Sequence, residues 1–409
     1  MERNMKHLYF FIICCIFMAS IAQAQTGNDS NKKAAFFIQP ELLIGKALPS
    51  NSNFPKTELE RIFSVSFGKY IQDTSLSWSV FYNYPSVGIS VTYSNFGKND
   101  VFGNAYSVIP FIAISTSKKQ AGNFYFKIGL GASYFTKFYN EDSNPYNLAI
   151  GSTFTWAFES TLHYNIYVTP VTALSIGGGF IHHSNGHTQL PNLGLNSLLF
   201  SFTSRFYLKP LNDQQLFGLE KPIKKQSRNY FISVRNGLGY HVLGGAMGSI
   251  DDQKRIVQSI SASGGIIFNQ LVKVGLGMTY RFYQQYHNYL NLIQTSGMSE
   301  NDFWNSSNIF VFVGCELFLG HVSMDSEIGI NLFKPFYEEF NREFEDDSEF
   351  KYQLKMIFAT RLGLKVYAVS TSRNPKNNVY IGAHINANFL QADFSELSIG
   401  YVYRFSKTN

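Results

Sequence analysis

Strict alternation of polar and apolar residues over long stretches is the feature that most limits the fold of this 409-residue chain. Over residues 124–134 the even positions are aromatic or aliphatic, whereas the odd positions include Lys127, Gly129 and Ser133. The same pattern returns over residues 272–282 and 322–332. A period of two residues predicts β-strands with one apolar face and one polar face.

The length of these runs points to a membrane protein. Each run has about 10 residues or more, which lets a tilted strand cross a bilayer. After the N-terminal segment no run of about 18 apolar residues occurs, which excludes a helical membrane bundle. The hydrophobic fraction of 45% excludes a disordered chain. Because backbone groups in lipid must all pair, the sheet has to close, so we predict an all-β fold, a transmembrane antiparallel β-barrel with a polar interior.

The N-terminal segment has the pattern of an export signal. Arg3 and Lys6 precede an apolar stretch over residues 8–21, and Ala22-Gln23-Ala24 forms a small-x-small cleavage site. We therefore predict a signal peptide over residues 1–24 and a location in the bacterial outer membrane. The net charge of +6 is too small to indicate a nucleic-acid partner.

The chain also contains an internal repeat. Residues 35–38 resemble residues 229–232, and residues 204–206 resemble residues 403–405. About sixteen strands are predicted, eight in each half. The predicted divisions are a first barrel over 25–208, a periplasmic linker over 209–228 and a second barrel-like repeat over 229–409. The linker is longer than a periplasmic turn requires, which favours two tandem eight-stranded barrels, with one sixteen-stranded barrel as the alternative.

A group of polar residues interrupts the apolar face at the end of the seventh predicted strand. His182 and Ser184 continue the alternation of outward-facing Leu174, Ile176 and Phe180, and Asn196 shares the alternation of Leu198 on the next strand. Polar side chains facing lipid are costly unless they serve a function.

A hydroxyl, an imidazole and an orienting amide are the components of an acyl-transfer site. We therefore predict Ser184 as the nucleophile, His182 as the base and Asn196 as the group that orients the imidazole. Backbone amides near Gly186, or the amide of Asn192, are predicted to stabilise the oxyanion.

The same residues carry a family resemblance. His182-x-Ser184-Asn185-Gly186, followed by Pro191-Asn192-x-Gly194-Leu195-Asn196, resembles the signature of the PagL lipid A 3-O-deacylase family. The resemblance covers about residues 34–208. It implies an eight-stranded outer-membrane barrel that hydrolyses the ester-linked acyl chain at position 3 of lipid A from its lipid-facing wall. It also implies that Asn185 and Asn192 shape the site, Asn192 as an oxyanion donor. The best-known members carry Glu where this chain has Asn196.

From this resemblance the expected partner is lipid A or lipopolysaccharide, and no cofactor or metal is expected. A zinc site of His182, His183 and His187 is disfavoured, because adjacent residues of a strand point to opposite faces. A non-enzymatic barrel that acts as a pore, adhesion platform or scaffold is the alternative, as is a broader phospholipid or acyl esterase. A homodimer is compatible with the sequence.

In the sequence alignment, the second half of the chain lacks these residues. Residues 181–184 align with Ile385-Asn386-Ala387-Asn388, which contain neither His nor Ser, and Glu396 aligns near the Asn196 position. We therefore predict that the second half is structural or adds a binding surface.

Overall fold

Sixteen antiparallel strands form two closed barrels of eight strands each. The fold comes from a computed structural model that describes residues 34–50, 54–73, 75–116, 123–212, 216, 227–293, 298–344, 348–389 and 391–405. The first barrel consists of β1 (Ala34–Leu48), β2 (Glu60–Ile71), β3 (Ser86–Asn95), β4 (Asn104–Ser115), β5 (Phe124–Phe135), β6 (Phe154–Val168), β7 (Thr172–Ser184) and β8 (Leu195–Tyr207).

The second barrel consists of β9 (Arg228–Gly245), β10 (Gly248–Phe268), β11 (Val272–Tyr283), β12 (Ser307–Leu319), β13 (Val322–Phe333), β14 (Phe358–Tyr367), β15 (Asn377–Asn388) and β16 (Gln391–Phe405). The all-β prediction is confirmed, and two eight-stranded barrels are formed rather than one barrel of sixteen strands. The predicted signal peptide and most of the predicted linker lie outside the described residues.

The first barrel closes through the pairing of β1 with β8, in which Phe37 lies opposite Tyr207 and Leu48 lies opposite Asn196. Along each strand buried and exposed residues alternate, as the sequence pattern predicts. On β8, for example, Leu198 and Phe200 are exposed whereas Leu199 is buried. The outer face of the barrel is therefore apolar, which suits a lipid environment.

Ion pairs and hydrogen bonds fill the interior of the first barrel. The Lys127 ammonium lies 2.7 Å from a carboxylate oxygen of Glu159 and 3.2 Å from one of Glu41. The hydroxyl of Ser201 donates a hydrogen bond of 2.5 Å to the other Glu41 oxygen. Buried charges are tolerated when they are paired and hydrogen-bonded in this way. Lys127, Glu41 and Glu159 are thus paired with one another inside the barrel.

The second barrel contains a larger internal ion network centred on Arg361. The guanidinium of Arg361 contacts Glu396 at 2.7 Å, Asp325 at 2.9 Å and Glu327 at 3.2 Å. Arg235 contacts Glu327 at 2.5 Å from the neighbouring part of the lumen. Three buried carboxylates therefore share the Arg361 guanidinium as a charged partner.

Replacing Arg361 by leucine is expected to destabilise the second barrel by about 3–5 kcal/mol, because it removes a close charged partner from three buried carboxylates. Urea unfolding in vesicles, followed by the fluorescence of Trp304 with Trp78 and Trp156 replaced by phenylalanine, measures this change. Arg373→Leu is the matched control, because Arg373 is exposed outside the barrel. Equal urea midpoints for the two leucine variants would contradict the expectation.

Short helices connect several strands. They are α1 (Ser77–Phe81), α2 (Gln284–Ile293), α3 (Asp302–Asn305), α4 (Pro335–Phe344) and α5 (Glu349–Ile357), with 3-10 turns at Ser299–Asn301 and Thr371–Arg373. Helices α2 and α4 pack together through stacked rings of Tyr286 and Phe336, whose centroids lie 3.9 Å apart. None of the helices in the described residues has the length and apolar character needed to cross a membrane.

The third strand begins later than the sequence pattern predicts. The alternation suggested a strand near residues 78–95, but Ser77–Phe81 form helix α1. Asn83 and Tyr84 then adopt positive φ angles of 58°, so the chain turns before β3 begins. Left-handed backbone of this kind ends regular structure and reverses the chain direction.

The fourteenth strand is also shorter than predicted. A strand was expected near residues 351–369, but Glu349–Ile357 form helix α5 and β14 begins at Phe358. The hydroxyl of Ser348 caps this helix by accepting a 3.4 Å hydrogen bond from the backbone N–H of Lys351. Such an N-cap favours a helix over a continued strand.

Candidate active site

The predicted site residues lie at the end of β7 and the start of β8. On β7, Ala173, Ser175 and Ile181 are buried in the barrel interior, whereas His182 lies on the opposite, outward face. On β8, Asn196 lies on the same outward face as the exposed Leu198. The outward orientation that the alternation predicted for His182 and Asn196 is therefore present in the fold.

His182 and Asn196 are brought into direct contact. They are register partners in the β7–β8 pairing, and Nδ1 of His182 lies 2.8 Å from Oδ1 of Asn196. An amide oxygen only accepts hydrogen bonds, so Nδ1 donates and carries the ring proton in this arrangement. Nε2 of His182 then keeps its lone pair, which is the state that a general base requires.

The ring of His182 is also held from one side by an aromatic neighbour. Phe180, two residues earlier on the same face, stacks on it with a centroid distance of 6.3 Å and an interplanar angle of 7°. The imidazole is thus fixed by an amide at one nitrogen and by a parallel ring. A restrained side chain loses little entropy when substrate binds.

Ser184 shares the outward face of β7 with His182. It is 3% exposed and lies opposite Trp156 of β6 in the sheet register. Two residues along a strand span about 6.6 Å between Cα atoms, a distance that an imidazole side chain reaches across. The pairing of a Ser184 nucleophile with a His182 base stays a prediction.

His183 points into the barrel, on the opposite face of β7 from its neighbour His182. Its Nδ1 lies 3.0 Å from the hydroxyl oxygen of Ser133, and its ring packs edge-on against Phe96 and Phe135. This buried histidine anchors the end of β7 while His182 projects from the other face. Sequence reasoning did not identify these partners, because Ser133 and Phe96 are distant along the chain.

Gly194 forms part of the wall behind the imidazole. It has a φ of +72°, and a Cβ atom built there would lie 2.9 Å from Cε1 of His182. Its backbone N–H donates a 2.9 Å hydrogen bond to the carbonyl of Ala149. A glycine at this position therefore permits close approach of the backbone to the His182 ring. The sequence showed this glycine within the family-like motif but gave no reason for it.

We expect Gly194→Ala to lower the ester hydrolysis predicted for Ser184 and His182 by about 10- to 100-fold, because the new methyl group displaces the His182 ring. Activity is measured per folded molecule, with folding followed by heat-modifiable migration on gels. Gly97→Ala is the matched control, since Gly97 also has a positive φ of +81° and a crowded Cβ position, but its nearest contacts are at Glu58 and Leu59. Equal loss of specific activity in both variants would show that backbone strain alone is responsible.

The remaining predicted residues occupy two different parts of the structure. Asn185 follows Ser184 directly and is 3% exposed. Gly186 and Asn192 belong to segment 186–192, which is part of the second compact unit of the chain. Within that unit the backbone N–H of Asn192 donates a 2.7 Å hydrogen bond to Ala246. Their assignment as oxyanion donors stays a prediction.

The second barrel presents no equivalent of this group among its described residues. At the end of β15 the outward positions are Ile385 and Ala387, whereas Asn386 points inward. Glu396, which the sequence alignment placed near the Asn196 position, faces inward instead and binds Arg361. The alignment of the halves is therefore wrong by one residue there, and such a slip exchanges the two faces of a strand.

Two closed barrels with apolar outer faces define this protein as a β-barrel of the bacterial outer membrane. Residues 67–205 match the family described as Lipid A 3-O-deacylase (PagL). This match confirms the resemblance of the first half of the chain to the PagL family, and it includes His182, Ser184 and Asn196. No curated protein matches the chain.

Solved structures with some similarity include the outer membrane enzyme PagL, at 12% identity and a TM-score of 0.31, covering 40% of this chain and 97% of that one. Neisserial surface protein A is 15% identical with a TM-score of 0.27, covering 42% and 97% of the two chains. The outer membrane protein opdK from Pseudomonas aeruginosa is 10% identical with a TM-score of 0.20, covering 91% and 99%. Similarities at this level do not inform function.

Proposed function

We propose that this protein is an outer-membrane serine esterase that removes an ester-linked acyl chain from lipid A. The observation that carries the proposal is the 2.8 Å contact between Nδ1 of His182 and Oδ1 of Asn196 on the lipid-facing wall. This contact supports a fixed orientation of the His182 imidazole, two residues before Ser184, within the segment that matches a family of lipid A 3-O-deacylases. Ser184 and His182 are the proposed catalytic pair, with Asn196 as the positioning residue.

In the proposed reaction the hydroxyl oxygen of Ser184 attacks the ester carbonyl of the acyl chain, and Nε2 of His182 takes the hydroxyl proton. The tetrahedral intermediate then expels the sugar oxygen, which receives that proton from His182. A water molecule, deprotonated by the same imidazole, attacks the acyl-serine ester. The Ser184 oxygen then leaves and takes that proton back from His182, which releases the fatty acid. Asn185, which follows Ser184 directly in the chain, is proposed to stabilise the oxyanion by hydrogen bonding.

The outward orientation of the pair suits a substrate that never leaves the membrane. The acyl chains of a lipid in the outer leaflet lie along the apolar barrel wall, which is formed near the site by residues such as Phe180 and Leu198. An ester bond lies at the boundary between acyl chain and headgroup. A site at the end of the strands is at the depth where such bonds occur.

Mass spectrometry of lipid A from cells that express the full chain, compared with cells lacking it, tests the proposal. We expect loss of one 3-linked acyl chain and release of the corresponding fatty acid. Unchanged lipid A together with hydrolysed phospholipids would instead indicate a broader esterase. If neither lipid changes while the folded barrel is present in the outer membrane, the protein is a non-enzymatic barrel and the proposal is wrong.

A further inference from the structure

Few charged side chains lie on the lipid-facing wall of the first barrel. Among the described strand residues, the outward-facing lysines and arginines are Lys46, Arg61 and Lys69. All acidic residues of these eight strands face inward and are buried; they are Glu41, Glu60 and Glu159. The ion pairs of the described residues of this barrel are internal. The outward cations therefore have no carboxylate on their own face of the described strands.

Two of these cations lie beside the candidate active site. Leu48 of β1 is the register partner of Asn196, and Lys46 is the next residue along β1 on the same outward face. Diagonal neighbours of this kind in an antiparallel pair are about 7–8 Å apart. The side chain of Lys46 is exposed and long enough to reach the space over His182 and Asn196.

Arg61 extends this positive surface by one strand. It is the register partner of Ile44 on β1, so it is a diagonal neighbour of Lys46 on the outward face. Its side chain is exposed. Lys69 lies at the opposite end of β2, away from the site. The two cations near the site are therefore close enough to bind one anionic group together.

A charged side chain on a lipid-facing wall is costly unless it reaches the headgroup layer and finds a partner there. Phosphate is the anion that lipid headgroups supply, and both lysine and arginine bind it through charge-assisted hydrogen bonds. A phosphate bound between Lys46 and Arg61 would sit at the end of the barrel wall, next to the ester-binding region.

We propose that Lys46 and Arg61 form a phosphate-binding pair that holds the phosphorylated headgroup of the lipid substrate while its acyl ester lies at His182 and Ser184. This inference rests on the proposed function and extends it to substrate selection. The pair makes its contact in the bound substrate and in the transition state equally, so it acts on binding rather than on the chemical step.

The test compares wild-type protein with a Lys46→Gln/Arg61→Gln double variant in detergent micelles that contain no other phospholipid. The substrates are phosphorylated lipid A and the same lipid A after enzymatic removal of its phosphates. We expect the variant to raise KM for phosphorylated lipid A by about 100-fold, roughly tenfold for each cation, with kcat nearly unchanged. For the dephosphorylated lipid, wild type and variant are expected to have equal KM values.

Lys69→Gln is the matched control, because it removes an outward cation of the same strand far from the site. It is expected to leave both KM values unchanged. If the double variant and the Lys69 variant behave alike on phosphorylated lipid A, the proposal is overturned. The same holds if the double variant weakens binding of both lipids equally, because the phosphate is then not the group recognised.

A binding measurement separates this inference from the proposed reaction. In a Ser184→Ala background the dissociation constant for phosphorylated lipid A in micelles is expected to increase by about 100-fold when Lys46 and Arg61 are replaced. When Lys46 and Arg61 are both present, added salt is expected to weaken the binding of phosphorylated lipid A. Absence of deacylation in the wild type would refute the proposed esterase activity but not the phosphate site. Equal dissociation constants with and without the pair would refute the phosphate site. Heat-modifiable migration on gels verifies that each variant forms its barrels.

Discussion

Replacement of Ser184 by alanine is expected to lower deacylation of lipid A by at least about 1,000-fold while the protein still folds and reaches the outer membrane. The hydroxyl is the only group in the proposed mechanism that forms a bond to the acyl carbon, so no neighbouring residue compensates for its loss. His182→Ala should cause a loss of similar size, because base and nucleophile act as a unit. Mass spectrometry of lipid A and fatty-acid release by purified protein measure both effects.

Ser204→Ala provides a matched control for this prediction. Ser204 also lies on the outward face of a strand beside the site strand β7, where it pairs with Leu174 near the other end of the barrel. Its replacement removes the same hydroxyl from the lipid-facing wall but is expected to leave activity unchanged. If Ser184→Ala retains wild-type deacylation, or if Ser204→Ala loses it to the same extent, Ser184 is not the nucleophile.

Alternation was sufficient to predict the strands and their faces where the pattern is uninterrupted. The run over residues 124–134 corresponds to strand β5, and the outward orientation of His182 and Asn196 follows from counting by twos along β7 and β8. One face of each strand must be buried, so the pattern fixes which residues point inward. The same counting applied to the ends of β1 and β2 would have identified Lys46 and Arg61 as outward cations.

The sequence pattern could not predict which side chains meet across the barrel interior. Lys127 and Glu41 are 86 residues apart in the chain, and their meeting depends on strand tilt and on the stagger at which the sheet closes. The sequence alignment that placed Glu396 near the Asn196 position is wrong for a related reason: a slip of one residue in aligning the halves reverses the face. Helices α1 and α5 depend on local turns and caps that alternation does not report.

The side-chain amide of Asn196 is expected to have a large effect on the rate of the proposed reaction. We expect Asn196→Leu, which keeps the side-chain size, to lower kcat by about 100-fold because Nδ1 of His182 loses its acceptor. The imidazole is then free to rotate and to exchange its ring proton between the two nitrogens. Steady-state kinetics with lipid A in micelles measure the loss, and KM is expected to change little because Asn196 contacts the base rather than the substrate.

Asn196→Asp is the complementary variant, since it replaces the amide by a carboxylate of the same shape and keeps an oxygen for Nδ1. The charge stabilises the imidazolium that forms as His182 accepts the Ser184 proton, so kcat is expected to rise by up to about tenfold. By the resemblance to the PagL family, a carboxylate at this position corresponds to the Glu of its best-known members. Because both variants preserve volume, opposite changes in kcat would arise from the hydrogen bond and its charge. Equal kcat values for the leucine variant and the wild type would show that the 2.8 Å contact does not position the base.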